Sequence, residues 1–132
     1  MTSRGFGSYS EILLDHFENP RNVGDVESPD AVGRAGNPAC GDTVVLSLRV
    51  SEGRIRQARF RASGCSAAIA GASMTTVLLT GLTVERAAEL TDQDVAVALG
   101  GLPPAKVHCS VLAEEAIRSA LDDLAARSRT KR

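Results

Sequence analysis

Tryptophan is absent from this 132-residue chain, tyrosine occurs once and phenylalanine three times. Nucleic-acid binding draws on stacking rings and a basic face, and 15 Lys and Arg against 16 Asp and Glu supply no such face. No apolar signal core opens the chain, and its three cysteines are an odd number at wide intervals. Reduced thiols in a cytoplasmic protein are therefore expected, not a disulfide framework. Charge is missing altogether from residues 62–84. Ser63, Ser66, Ser73, Thr75, Thr76, Thr80, Gly64, Gly71 and Gly81 make that stretch too polar for a lipid-facing span, so it reads as a buried helix and no membrane partner is expected. Internal repeats, low-complexity runs, a Ser–His–Asp set, a phosphate-cradling glycine loop and paired acids are also missing, which points away from an enzyme.

A chain of this length fits one domain, 1–132, which buries roughly two thirds of its unfolded surface without disulfides. Residues 1–7 and 126–132 are expected as flexible tails, the latter carrying Arg127, Arg129, Lys131 and Arg132. Ser8 and Glu11 have capping-box spacing, and Ile12, Leu13, His16 and Phe17 form a helical stripe that Asn19-Pro20 ends. His16 reads as a packing residue on that stripe. Residues 21–39 are rich in turn formers and predict loop, with one short edge strand near 32–35. Val44, Leu46, Leu48 and Val50 alternate with Val45, Ser47 and Arg49, and Ala58, Phe60 and Ala62 with Arg59, Arg61 and Ser63 after the Ser51-Glu52-Gly53 turn. Ile55 is out of register and predicts a bulge or a late strand start.

Past Gly64 the period becomes helical, with Ala70, Met74, Val77 and Leu78 on one face. Two short helices capped by Thr83 and Thr91 follow, the second with Asp94 completing a capping box. Gly100-Gly101 stops that helix and Leu102-Pro103-Pro104 reads as a non-helical connection. The last helix begins near Cys109 and carries Ala113, Ile117, Leu121 and Leu124. Strands first and helices last indicate an α+β domain: a small antiparallel three-stranded sheet with helices packed on one face.

The cysteines fall at the edges of these elements. Cys40 lies in the turn Pro38-Ala39-Cys40-Gly41-Asp42, Cys65 follows Gly64 at a helix start, and Cys109 follows His108 at another. A lone cysteine is often no more than a small buried apolar residue. Three at element termini, two of them beside a glycine and two of them near Asp42 or His108, are better read as ligands. Helix N-termini favour thiolates, so Cys65 and Cys109 are expected to have lowered pKa values. Three thiolates with Asp42 or His108 make a four-ligand set for tetrahedral zinc or a two-iron cluster. With no CxxC pair, remote segments must assemble it, and the turn carrying Cys40 and Asp42 is expected to be exposed.

Four motifs in order carry a resemblance that spans Tyr9 to about Leu124. They are Tyr9-Ser10-Glu11 with Asp15-His16-Phe17-Glu18-Asn19-Pro20-Arg21-Asn22-Val23-Gly24, then Gly36-Asn37-Pro38-Ala39-Cys40-Gly41-Asp42, then Ala58-Arg59-Phe60 with Gly64-Cys65-Ser66-Ala67-Ala68-Ile69-Ala70, then Val107-His108-Cys109-Ser110-Val111-Leu112-Ala113. The chain resembles the IscU and NifU N-terminal scaffold family. The resemblance implies an IscU-like fold and a protein that takes persulfide sulfur from a cysteine desulfurase, collects iron, builds a transient [2Fe–2S] cluster and passes it to apo-proteins. It makes Cys40, Asp42, Cys65, Cys109 and His108 the ligands, with Cys109 the sulfur acceptor. Leu102-Pro103-Pro104-Ala105-Lys106 resembles the segment that an Hsp70-type chaperone grips, with its co-chaperone as a further partner. Here Ala105 stands where the family usually has valine, and a proline-stiffened link is the plainer alternative.

Two other readings fit the same cysteines. A zinc-bound sulfurtransferase-like relative would accept sulfur without building a cluster, but such relatives resemble a longer chain with an insertion between the second and third cysteines. The short Cys65 to Cys109 interval, His108 and the Pro-Pro-Ala-Lys segment favour the scaffold. In the other, zinc is purely structural and the domain is a binding module.

Overall fold

A computed structural model describes residues 9–37 and 41–130. Helix α1 spans Glu11–Glu18, strands β1, β2 and β3 span Ala31–Asn37, Asp42–Ser51 and Arg54–Ser63, and α2 spans Ser66–Leu79. Short helices α3 (Val84–Ala87) and α4 (Asp92–Ala98) lead through a 3-10 turn, Pro104–Lys106, into the long helix α5, Val107–Thr130.

The strands form one antiparallel sheet in the order β1-β2-β3. Alternation in β2 sends Val44, Leu46 and Leu48 to one face, where they meet Ala58, Phe60, Ala116 and Ile117 in the larger core. The register shifts between Arg49 and Val50, so Arg49 faces Gln57 while Val50 faces Ile55. That bulge restores Ile55, fully buried, to the core face.

Both sheet edges are covered. Along β1, every second amide turns outward to α5: Val32 N–H donates to Asp123 Oδ2 at 2.8 Å and Arg34 N–H to Ser119 Oγ at 3.0 Å. Gly33 makes this possible, because a Cβ there would collide with the Ala116 carbonyl and the Ala120 backbone. On the other side Phe60 N–H donates to the Asn22 carbonyl and Gly24 N–H to the Phe60 carbonyl. Ile55 is likewise bonded through its N–H to the Leu82 carbonyl and through its carbonyl to the Gly81 N–H, so that edge is capped at two points.

Several sequence expectations need correction. The N-cap of α1 is Ser10, whose Oγ accepts from Leu13 N–H; Ser8 lies outside the described residues. The predicted short edge strand is the seven-residue β1. In α2, Val77 is exposed and Leu79 is buried instead, because neighbours on nearly every side leave that helix no single apolar stripe. The 3-10 turn gives helical character to Pro104, which a proline tolerates at a first helical position. Residues 126–130 continue α5, where Arg127 pairs with Asp123 and donates to the Pro29 carbonyl. As predicted, Thr83 and Thr91 cap α3 and α4, and Asp94 closes the capping box. No described helix is long and apolar enough to cross a membrane.

Candidate metal and sulfur centre

Three chain segments end at one place. β2 starts with Asp42, the turn after β3 delivers Gly64 and Cys65 to the N-terminus of α2, and the first turn of α5 carries His108 and Cys109. Cys65 is itself the N-cap of α2, in extended conformation and with no side-chain cap bond, so its sulfur is free to face the other ligands.

Gly64 decides how close these segments come. Its φ is +140°, a region that side chains disfavour, and a Cβ there would overlap the Asp42 carboxylate. The carboxylate thus lies against bare backbone and accepts the Cys65 N–H through Oδ1 at 3.3 Å. Gly64 opens the Cys65 motif in the sequence, but its need for φ > 0 becomes visible only once Asp42 is beside it.

The four side chains form a ring of contacts. Cys65 Sγ lies 3.8 Å from Asp42 Oδ2 and 3.6 Å from Cys109 Sγ. Cys109 Sγ lies 3.6 Å from His108 Nε2, which lies 3.6 Å from Asp42 Oδ2. The last separation exceeds a hydrogen bond between nitrogen and oxygen. Neighbouring spacings of this size are those of ligands that share an ion, since ligands bound at about 2.3 Å for sulfur and 2.0 Å for nitrogen or oxygen stand roughly 3.4–3.8 Å apart. Here Asp42, His108 and Cys109 form the mutually close set, while Cys65 adjoins it through Asp42 and Cys109. Asp42, His108 and Cys109 all offer ligand atoms within 4.8 Å of one another. Cys40 lies outside the described residues.

Burial is uneven. Asp42 is 3% exposed and Cys109 1%, while Cys65 and His108 are half-buried. Asp42 is therefore not the exposed turn residue expected from its Gly-Asp context, because pairing of β2 with β1 and β3 draws it inward. Nor is the Cys109 thiol activated by its helix start. Burial, then the Cys65 thiol and the negative charge of Asp42, push it up to about 12. Desolvation and like charge outweigh the helix dipole here, and a cation at the centre would reverse that balance.

The Leu102-Pro103-Pro104-Ala105-Lys106 segment borders this centre. Pro104 and Ala105 are exposed, and Lys106 N–H closes the turn on the Pro103 carbonyl at 2.8 Å. The Cys65 sulfur, followed by Tyr9, holds the Lys106 ammonium above its usual range, so this lysine faces the thiols as well as solvent.

His16 belongs elsewhere. It is buried between α1 and α2, with Nδ1 2.8 Å from Ser73 Oγ. Ser73 Oγ also accepts the Arg21 N–H at 2.9 Å, so the hydroxyl proton goes to His16. Asn22 Nδ2 donates to Thr76 Oγ1 at 3.0 Å. Read from sequence as a helix stop and loop, Asn19-Pro20-Arg21-Asn22 is also the clasp between α1, α2 and the edge of β3.

The NifU-like N terminal domain family matches residues 8–131. The chain belongs to that family. It is 50% identical over 115 residues to the iron-sulfur cluster assembly scaffold protein IscU 1 of Archaeoglobus fulgidus, covering 87% of this chain and 75% of the relative. Against the IscU scaffold protein of Azotobacter vinelandii it is 47% identical over 120 residues, covering 88% and 93%. A crystal structure of a hypothetical protein shares its fold with a TM-score of 0.72 at 26% identity, covering 84% of this chain and 94% of that one.

Proposed function

We propose that this member of the NifU-like N-terminal family is a scaffold for iron–sulfur cluster assembly. It accepts sulfur from a cysteine desulfurase, gathers iron, forms a [2Fe–2S] cluster and releases it to apo-proteins. The observation that carries this reading is the ring formed by Asp42, Cys65, Cys109 and His108, with neighbouring ligand atoms 3.6–3.8 Å apart. Two soft sulfurs, an imidazole and one hard oxygen suit iron or zinc, and the relatives carry scaffold names.

Asp42, His108 and Cys109 as they stand suit one ion, the first iron or a zinc that takes its place, with Cys65 beside them. A two-iron cluster divides its four protein ligands between two metals, so the ring must open as the second iron enters, with Cys40 joining as a further thiolate. Whether Asp42 or His108 remains as the last ligand then depends on the stage of assembly. Asp42 is the weaker partner for a soft centre and is assigned to release. Cys109 is the assigned sulfur acceptor. Residues 102–106 are assigned to an Hsp70-type chaperone and its co-chaperone, and the work is placed in the cytoplasm.

Anaerobic incubation with a cysteine desulfurase, cysteine and ferrous iron tests the reading. Sulfide-to-iron charge-transfer bands with about two irons per chain or per dimer are expected. Uptake of zinc and sulfur without those bands would instead make the protein a zinc-bound sulfur acceptor. Asp42→Ala is expected to slow cluster transfer to an apo-ferredoxin, and unchanged transfer kinetics would remove Asp42 from that role.

A further inference from the structure

Sulfur arrives from a desulfurase as sulfane sulfur in a persulfide, yet a cluster is built from sulfide. Two electrons per sulfur must come from somewhere. Cys65 and Cys109 are both free thiols, and their sulfurs are 3.6 Å apart. A disulfide needs them at about 2.05 Å with side chains from facing positions, so the closure required is small. Cys109 is 1% exposed, which shields it from a bulky reductant in solution but not from its neighbour.

We propose that Cys65 and Cys109 form a resolving pair that itself reduces incoming sulfane sulfur to sulfide. The inference rests on the reading above in one respect: one of these two sulfurs must receive the persulfide. In the step, the thiol of the partner cysteine attacks the inner sulfur of the persulfide. A Cys65–Cys109 bond forms, the inner-to-outer sulfur bond breaks, and the outer sulfur departs as HS⁻ with the proton of the attacking thiol. Each cysteine sulfur is oxidised by one electron and the sulfane sulfur gains two, so charge and atoms balance with a persulfide anion and a thiol as reactants. Asp42 Oδ2, 3.8 Å from Cys65 Sγ, is placed to accept the thiol proton on its way. The pair is spent after one turn, and a dithiol reductant from solution must reopen it.

Intramolecular attack has the advantage of proximity. Effective molarities of well-placed groups reach about 10⁵ M and above, far beyond any external thiol. The pair therefore sets when sulfide appears: beside the iron ligands and only while both thiols are reduced.

The test uses metal-free full-length protein under anaerobic conditions and a cysteine desulfurase pre-charged with persulfide, then freed of cysteine by gel filtration. Released sulfide is measured, and unreduced peptides are mapped by mass spectrometry after alkylation. Wild type is expected to yield one Cys65–Cys109 disulfide for each sulfide released. Cys65→Ser and Cys109→Ser, each keeping one of the two sulfurs, are expected to hold persulfide on the remaining cysteine and to release sulfide on the order of a hundredfold more slowly. Arg61→Ala, at an exposed position of β3, is expected to behave as wild type in this step. Persulfide that accumulates and persists on wild type, sulfide without the disulfide, or a disulfide joining Cys40 to Cys109 would each overturn the pair. Failure of wild type and all three variants to take up any sulfur would instead remove the acceptor reading beneath it, and the pair with it.

Discussion

Two buried polar clusters in this small domain use similar groups and end in opposite states. Between α1 and α2, the contacts of His16, Ser73, Arg21, Asn22 and Thr76 lie at 2.7–3.0 Å. At the junction of β2, α2 and α5, Asp42, Cys65, Cys109 and His108 stand 3.6–3.8 Å apart. In the first cluster the imidazole, the two hydroxyls and the Asn22 amide are paired at hydrogen-bond distance and act as a clasp, while Arg21 Nη1 is buried beside them without a partner among the described residues. The second is held together by its backbone supports and leaves its own donors and acceptors poorly matched. A buried carboxylate held only by one long amide bond and a thiol costs stability unless something else occupies the centre. The comparison teaches that burial of polar groups is a poor guide to function, whereas the distances between them and the kind of atom that meets at the centre separate a clasp from a ligand set.

Disturbing the backbone support should have the largest effect. Gly64→Ala forces a side chain into the Asp42 carboxylate at φ +140° and is expected to cost about 2–4 kcal/mol by urea denaturation of the metal-free protein. Metal affinity should fall with it, read by competition with a chelator. If Gly64→Ala lost nothing in either measurement, the close approach would not be what builds the site.

Next come substitutions that separate the two clusters. Ser73→Ala strands the Arg21 N–H and the His16 acceptor and is expected to lose about 1–3 kcal/mol. Asp42→Ala removes an ill-matched buried carboxylate, so metal-free stability should stay within about 1 kcal/mol of wild type or rise, while zinc affinity drops. A loss for Asp42→Ala as large as that for Ser73→Ala would make the two clusters alike.

Acid sharpens the contrast from the side of the clasp. Burial, then the Arg21 charge, lowers the His16 pKa from 6.5, so the fold favours the neutral ring that accepts from Ser73. The stabilisation is present above pH 6.5 and is lost as pH falls through the lower folded value. Denaturation of the metal-free protein should show stability falling below pH 6.5, and His16→Gln should flatten that slope. The smallest effect is expected at the surface. The Arg61–Asp25 pair is 2.9 Å long but its side chains are 65% and 55% exposed, and Arg61→Ala should cost less than about 0.5 kcal/mol.

Much of the fold was legible because its signals are local. The β2 alternation, the Thr91–Asp94 capping box and the displaced Ile55 each report the neighbourhood of a few residues, and each describes what the structure contains. The ligand residues were legible for another reason: Cys65, His108 and Cys109 stand beside glycines or at helix starts, and their motifs resemble a known family. What stayed hidden needed a partner remote in sequence. Val77 faces solvent and Leu79 the core because α2 is enclosed by α1, α5 and the sheet, so its own period carries little information. The acidity expected of Cys109 from its helix start was overturned by burial and by Asp42, which lies in another strand.

From its sequence alone, this protein is determined to be an α+β domain with a helix-rich second half and a set of thiol, carboxylate and imidazole groups suited to a soft metal. Local periodicity, caps and side-chain chemistry are enough for that, because each acts within a few residues. Only the tertiary structure decided that Asp42 is buried, that Gly64 gives it room, and that the sulfurs of Cys65 and Cys109 come within 3.6 Å. Those facts depend on where the end of one strand meets the ends of two helices, and long-range packing alone sets that meeting point.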